Sequence, residues 1–373
     1  MASRRTVITA AAGLTVAAGL TAAGSAMADA AESTPDIPKT LARRGTWSGG
    51  GTRVQQTSFG LTHLAVGWTG AGQPGVRVRT RSGWGDWKAV HACHGGKDTS
   101  TGTGKWALVT APGAIGYEID SAGLAGLSAT ELNTVDGPVR AKAAPADGTL
   151  RAPGRQAPVR FLSRAAWGAD ESLRFAADGT ETWPPEFFPV QTLTVHHTAG
   201  QNNDPDPAAT VRAIYYFDTI TQGWGDLGYH LLIDEAGNVY EGRVSGTDPV
   251  PVFGPALGPD GRPQMVNGAH VLSYNAGNIG VVLLGDFTSQ LPTAAAQRSL
   301  EAVLAVLVGV ERLDPLGTTD YVNPVNGLTK TVDTIPGHRD WAATECPGNT
   351  FYPKLPTVRR NAAAILGQGH RRR

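Results

Sequence analysis

The chain has little cysteine, no surplus of charge of either sign and, past its first residues, no long apolar run. Cys93 and Cys346 are its only cysteines in 373 residues. That excludes a disulfide-stapled scaffold, which packs several bridges into a short chain. A single Cys93–Cys346 bridge stays open on composition alone. Lys and Arg total 32, Asp and Glu total 32, and the formal net charge is zero. Such balance excludes the basic footprint of a nucleic-acid binder. The closing Arg371-Arg372-Arg373 reads as a solvated end. No stretch after the leader is apolar over the length a bilayer demands, so stable membrane insertion is not expected.

What is abundant is glycine (48) and proline (25), a tilt toward loops and β-structure over long helices. The length leaves room for two folded units. Residues 1–28 have the pattern of a secretion signal, with Arg4-Arg5 ahead of an uncharged Ala-rich run, Val7 to Ala23, and a small-x-small site at Ala26-Met27-Ala28. The arginine pair resembles a twin-arginine signal. A run so rich in Ala and Gly is a poor membrane anchor.

From 40 to 136 the pattern is β. Gly75-Val-Arg-Val-Arg-Thr-Arg81 alternates apolar and charged residues, as a half-buried strand does. Leu64–Trp68, Trp106–Thr110 and Tyr117–Ile119 read as further short strands between Gly-rich turns. The expectation is a small all-β, sandwich-like domain. Its tryptophans (Trp47, Trp68, Trp84, Trp87, Trp106) suit either core packing or stacking on sugar rings. Residues 137–158, rich in Ala, Pro and Gly, read as a linker.

The second domain, 159–369, interleaves the two periodicities. Gln191–Val195 is a strand, Asp206-Pro207 a capped helix start, and Tyr229–Ile233 with Asn238–Tyr240 a hairpin. The unbroken apolar Ile279–Leu284 fits a strand covered on both faces. Thr293 caps a helix whose Leu300, Val303, Leu304 and Leu307 form one stripe. Thr331–Ile335 closes the strands, and Asn361–Leu366 belongs to a final helix. The fold class is α/β, a mixed central sheet flanked by helices.

Histidine and cysteine recur where strands end. Val195-His-His-Thr-Ala199 and Gly337-His-Arg-Asp-Trp341 leave strands, and Glu345-Cys-Pro-Gly348 forms a tight turn soon after. A catalytic zinc site takes three protein ligands and keeps one position open, and imidazole and thiolate both suit it. Each pair alone is weak; their combination is not.

These segments, with Ser163-Arg-Ala-Ala-Trp-Gly-Ala169, Gly223-Trp-Gly-Asp-Leu-Gly-Tyr-His230, Gly237-Asn-Val-Tyr-Glu-Gly-Arg243 and Gly268-Ala-His-Val-Leu-Ser-Tyr-Asn275, resemble the type 2 N-acetylmuramoyl-L-alanine amidases, a family that includes the peptidoglycan recognition proteins. The resemblance runs from about Phe161 to Leu366. It implies zinc held by His196, His338 and Cys346, with Tyr229 beside the metal as a catalytic group. It implies hydrolysis of the amide between N-acetylmuramic acid and L-alanine in peptidoglycan, by a secreted, wall-associated monomer. The alternative is a recognition protein without turnover, but such proteins typically lose a ligand and this chain keeps all three. Thr344 stands where some relatives carry a catalytic lysine. His270 and Asn275 match a segment that lines the substrate groove in the family; His197, a substrate-binding candidate with them, is expected by strand alternation to point away from the metal, with packing in the core as its favoured role. His230 is expected to face away. The chain departs from the family at Asp218, where many relatives have histidine, and across Val244–Met265, a longer link expected to be a surface loop. Cys93 stays without an assigned partner.

Overall fold

The computed structural model describes residues 35–47, 52–92, 95–100, 104–120, 123–143, 147–151, 158–246 and 250–370. The leader, Cys93 and the terminal arginines lie outside these.

The described strands of the N-terminal domain, 41–133, form one continuous antiparallel sheet. Its main strands are β1 (Leu41–Trp47), β2 (Thr52–Thr69), β3 (Gly75–Thr80), β4 (Lys105–Asp120) and β5 (Ala125–Asn133), in the order β1-β5-β2-β4-β3. The expected short strands at 106–110 and 117–119 are therefore halves of a single long one. Register is irregular between Gln56 and His63 of β2; both halves pair with β4, and only the second half also pairs with β5. Leu64, Val66, Trp68, Tyr117 and Ile119 lie in one buried cluster. Trp84 and Trp87 are exposed, and both rings receive the Arg77 guanidinium.

The stretch expected as a linker carries structure of its own. Val139–Lys142 pairs with Asp36–Pro38, and Asp147–Leu150 pairs antiparallel with β6 (Val159–Leu162). Leu150 is fully buried in the C-terminal core, which explains why a polar-looking segment is held.

The C-terminal domain has a mixed sheet running Asp147–Leu150, β6, β9 (Val239–Glu241), β8 (Leu231–Ile233), β10 (Asn278–Leu283), β7 (Thr192–His197). β10 lies parallel between β7 and β8, as its continuous apolar sequence predicts. Alternation sorts its side chains. Leu193, Val195, Leu231, Ile233, Ile279, Val281 and Leu283 join the core shared with Leu300, Val303, Leu304 and Leu307 of α2 (Ala294–Glu311) and with α3 (Leu355–His370). Leu232, Tyr240 and Val282 face the opposite side, with Val211, Ile214 and Tyr215 of α1 (Pro207–Tyr216). Each such Leu or Val taken wholly out of water contributes about 1.5–3 kcal/mol.

Two expectations are corrected. Thr329–Asp333 pairs in a separate hairpin with Thr318–Val322 and stays outside the central sheet. Only the residues that follow, Thr334 and Pro336, run beside β7, accepting from Leu193 and Val195 N–H. The 244–265 link is not all surface loop: Phe253–Leu257 and Pro263–Val266 form a three-stranded sheet with Phe187–Pro189. Val252, Phe253 and Met265 are buried in the core.

Asp218 is buried in the turn after α1, where its carboxylate accepts the Gly228 N–H at 2.9 Å. Burial pushes its pKa up to about 8, aided by Asp226 and opposed by that N–H. Its folded value lies above the ordinary one of about 4, so the folded chain holds a proton the unfolded chain has lost between the two. Stability is therefore lost as pH rises from about 4 to about 8. Asp218→Asn keeps the acceptor and removes the charge. Its Tm should match the parent near pH 4 and exceed it by several degrees at pH 8, at about 2–4 °C per kcal/mol. Parallel Tm–pH curves for the two chains would rule this out.

Candidate metal centre

β7 delivers His196 and His197 to opposite faces, because successive side chains alternate. His196 is fully buried on the α1 face. Its Nδ1 lies 3.2 Å from His338 Nδ1 and 3.7 Å from Cys346 Sγ. The three donor atoms fall within 4.8 Å of one another, and all three residues are buried. A tetrahedral zinc with Zn–N about 2.0 Å and Zn–S about 2.3 Å needs N···N near 3.3 Å and N···S near 3.5 Å. The donor set, and the two separations from His196 Nδ1, thus fit a zinc ion.

His338 opens a short 3-10 turn after Gly337, which is bridged in parallel to Val195; this brings it beside β7. Cys346 follows in the next turn, where Arg339 N–H donates to its carbonyl. The His197 backbone N–H points at Cys346 Sγ, 3.3 Å away. An N–H donor favours thiolate over thiol, the form a zinc ligand requires.

His270 is not a groove residue. It is buried, with Nδ1 2.9 Å from His196 Nε2 and Nε2 2.8 Å from the Asn278 carbonyl. The carbonyl only accepts, so His270 Nε2 carries the proton, and its Nδ1 accepts from His196 Nε2–H. That leaves His196 Nδ1 as a bare lone pair facing the other ligands. This is the support that metal-bound histidines commonly use. A Cβ at Gly280 would lie 2.5 Å from the His270 ring, so only glycine leaves that ring its place. Burial, with the neighbouring histidines, holds both imidazoles neutral by lowering their pKa well below the usual 6.5. His270→Phe keeps the ring volume and removes the acceptor. Zinc affinity should fall about 10–100-fold, measured by competition with a chelator. An unaltered affinity would show that the His196 tautomer is set elsewhere.

The other expected site residues separate. Tyr229 stays beside the metal ligands: its ring packs edge-on to His196 at 5.3 Å between centroids and is half-buried. His197 turns to the opposite core, where its Nδ1 accepts the Phe287 N–H at 3.2 Å and its pKa is lowered by burial to about 4. It is buried and lines no groove. Thr344 receives the Cys346 N–H on its hydroxyl at 3.3 Å, bracing the turn that carries the thiolate. His230 is buried, bonded to Gly280 N–H and the Val266 carbonyl. Asn275 is wholly buried, its amide bonded to Asp98 and Gly96 of the N-terminal domain and to Val271 N–H, so it faces no solvent. Asn278 and Asp98 escaped the sequence reading. Asn278 acts through its carbonyl, which any residue has, and Asp98 belongs to a different domain.

Known proteins match this half of the chain. The family described as N-acetylmuramoyl-L-alanine amidase matches residues 186–349. The human N-acetylmuramoyl-L-alanine amidase is 32% identical over 181 residues, 46% of this chain and 24% of that protein. The chain thus spans about a quarter of the human relative's length. The bovine peptidoglycan recognition protein 1 is 30% identical over 199 residues, 52% of this chain and 80% of that protein. Among solved structures, wild-type PGRP-LB of Drosophila is 27% identical, covering 52% of this chain and 92% of that one with a TM-score of 0.37. No helix among the described residues is long and apolar enough to cross a membrane. With this coverage and identity, the chain belongs to the family of N-acetylmuramoyl-L-alanine amidases and peptidoglycan recognition proteins.

Proposed function

We propose that the protein is a secreted zinc amidase that cleaves the amide between the lactyl group of N-acetylmuramic acid and the L-alanine of the peptidoglycan stem peptide. The observation that carries this is the complete donor set, His196, His338 and Cys346, buried and with all donor atoms within 4.8 Å of one another. A recognition protein needs groove contacts but no such set, which favours turnover over binding alone. Zinc, when bound, supplies Lewis acidity and brings the pKa of water down to about 7.

The protein's own part is positioning and charge. His196 stays neutral in its buried setting, with its remaining N–H committed to His270. The His197 N–H donates to Cys346 Sγ and Thr344 braces its turn, a setting in which zinc, when bound, would take the sulfur as thiolate. The Tyr229 hydroxyl stabilises the oxyanion that develops on the scissile carbonyl. Peptidoglycan lies outside the cell, in keeping with the leader pattern of residues 1–28. The protein acts as a monomer at the wall.

Mass spectrometry of peptidoglycan digested by the zinc-loaded chain tests the reading. Free stem peptides beginning with L-alanine and intact glycan strands are expected. Cleavage within the stem or the glycan overturns it, and no cleavage leaves recognition as the function.

A further inference from the structure

The N-terminal domain contacts the C-terminal one at two places, α1 and the loop 267–276. On one side, Thr134 and His63 meet α1. The Thr134 hydroxyl donates to the Ala209 carbonyl, Arg212 donates to the Thr134 carbonyl, and His63 lies 3.4 Å from the Thr210 hydroxyl. On the other side, residues 95–100 dock on the loop 267–276, the same loop in which His270 supports His196. Between the two, Leu108 of β4 packs against the cluster that Tyr229 also borders. All three metal ligands are themselves buried, and two of these contacts fall on elements next to them, the Tyr229 cluster and the His270 loop.

The docking contact has the form of a ligand in a site. Asp98 Oδ1 accepts from the Asn275 N–H at 2.8 Å and from Asn275 Nδ2 at 3.0 Å. Oδ2 accepts from the Ala276 N–H at 3.0 Å and from Asn267 Nδ2 at 3.5 Å. Consecutive main-chain N–H groups with two amides around a buried carboxylate make an anion site. Gly96 extends the contact, its N–H donating to the Ala269 carbonyl and its own carbonyl accepting from Asn275 Nδ2. Lys97 lies over the Trp183 ring at 4.3 Å. Without Asp98 the two main-chain N–H groups face the site with no charge to bind.

We propose that the Asn275–Ala276 amide pair with Asn267 is a carboxylate site, filled from within by Asp98 to latch the N-terminal domain over the metal centre. A ligand with free carboxylates, as a peptidoglycan stem peptide has, competes with Asp98 and opens the domain. The ligand side of this inference rests on the peptidoglycan reading above; the latch does not.

The test compares full-length wild type, Asp98→Ala and Asp98→Asn, each checked for cooperative thermal unfolding. Zinc transfer from the loaded chain to a chelator reads the latch without turnover. It should be roughly tenfold faster or more in Asp98→Ala, since several hydrogen bonds to a charged group are lost. Titration of the zinc-free chains with a muramyl tripeptide, stem carboxylates free or amidated, reads the site. The free acid should bind about tenfold tighter to Asp98→Ala than to wild type, and tighter than its amide. Zinc transfer unchanged in folded variants overturns the latch. Equal binding of acid and amide to Asp98→Ala overturns the carboxylate site. Where no tripeptide binds any variant, the peptidoglycan reading fails and zinc transfer alone decides the latch. Binding without release of stem peptides refutes only the amidase chemistry.

Discussion

Cys346→Ser is expected to leave the fold intact, empty the metal centre and lower peptidoglycan hydrolysis by about a thousandfold or more. The magnitude follows from several kcal/mol of metal-supplied stabilisation at 1.36 kcal/mol per decade. Serine is nearly isosteric, so the turn through Pro347 and Gly348 keeps its packing against Phe287. What changes is charge. Near neutral pH a thiol beside an N–H donor and a dication is a thiolate, whereas a serine hydroxyl stays neutral. The His197 N–H, 3.3 Å from the sulfur, then faces a weaker acceptor. Two imidazoles without an anionic third ligand hold zinc loosely. Metal content of the purified variant, its circular dichroism and its rate of stem-peptide release check the three parts. His338→Ala should behave alike. Full activity in Cys346→Ser would remove the thiolate from the chemistry and sink the proposed mechanism.

Much of this site could be read from the sequence because its ligands sit where strands end. The strand pattern of 191–195 placed His196 at a rim, and alternation correctly sent His197 to the other face. The cap at Thr293 and the stripe through Leu307 appear as drawn, since a helix packed on a sheet needs both features. What the sequence does not show is what each motif residue near the groove touches within the folded chain. His270 and Asn275 stand in a family motif, yet one holds the His196 tautomer and the other holds a different domain. A sequence pattern marks a residue as constrained without saying by what. The same holds for 250–266: its Pro and Gly content reads as loop, while the apolar Val252, Phe253 and Met265 within it supply the reason it folds inward. The docking of Asp98 leaves no local signature, because its partners are 169 to 178 positions away along the chain.

Tyr229→Phe should separate the chemistry from the metal. The ring is expected to stay, because its place is fixed by the edge-on contact with His196 and by the backbone, where the Tyr229 carbonyl accepts the Arg243 N–H at 2.8 Å. The Gly228 N–H held by Asp218 secures the residue before it. Phenylalanine thus fills the same volume, and zinc content should match the parent. Only the hydroxyl is gone. If that hydroxyl meets the oxyanion, its loss costs about 10²–10³ in kcat, the usual effect of deleting one such donor. A donor that binds chiefly the developing charge leaves the ground state little affected, so KM should move much less than kcat. Were kcat preserved and KM raised instead, Tyr229 would be a substrate-binding group, and stabilisation of the oxyanion would fall to the metal alone.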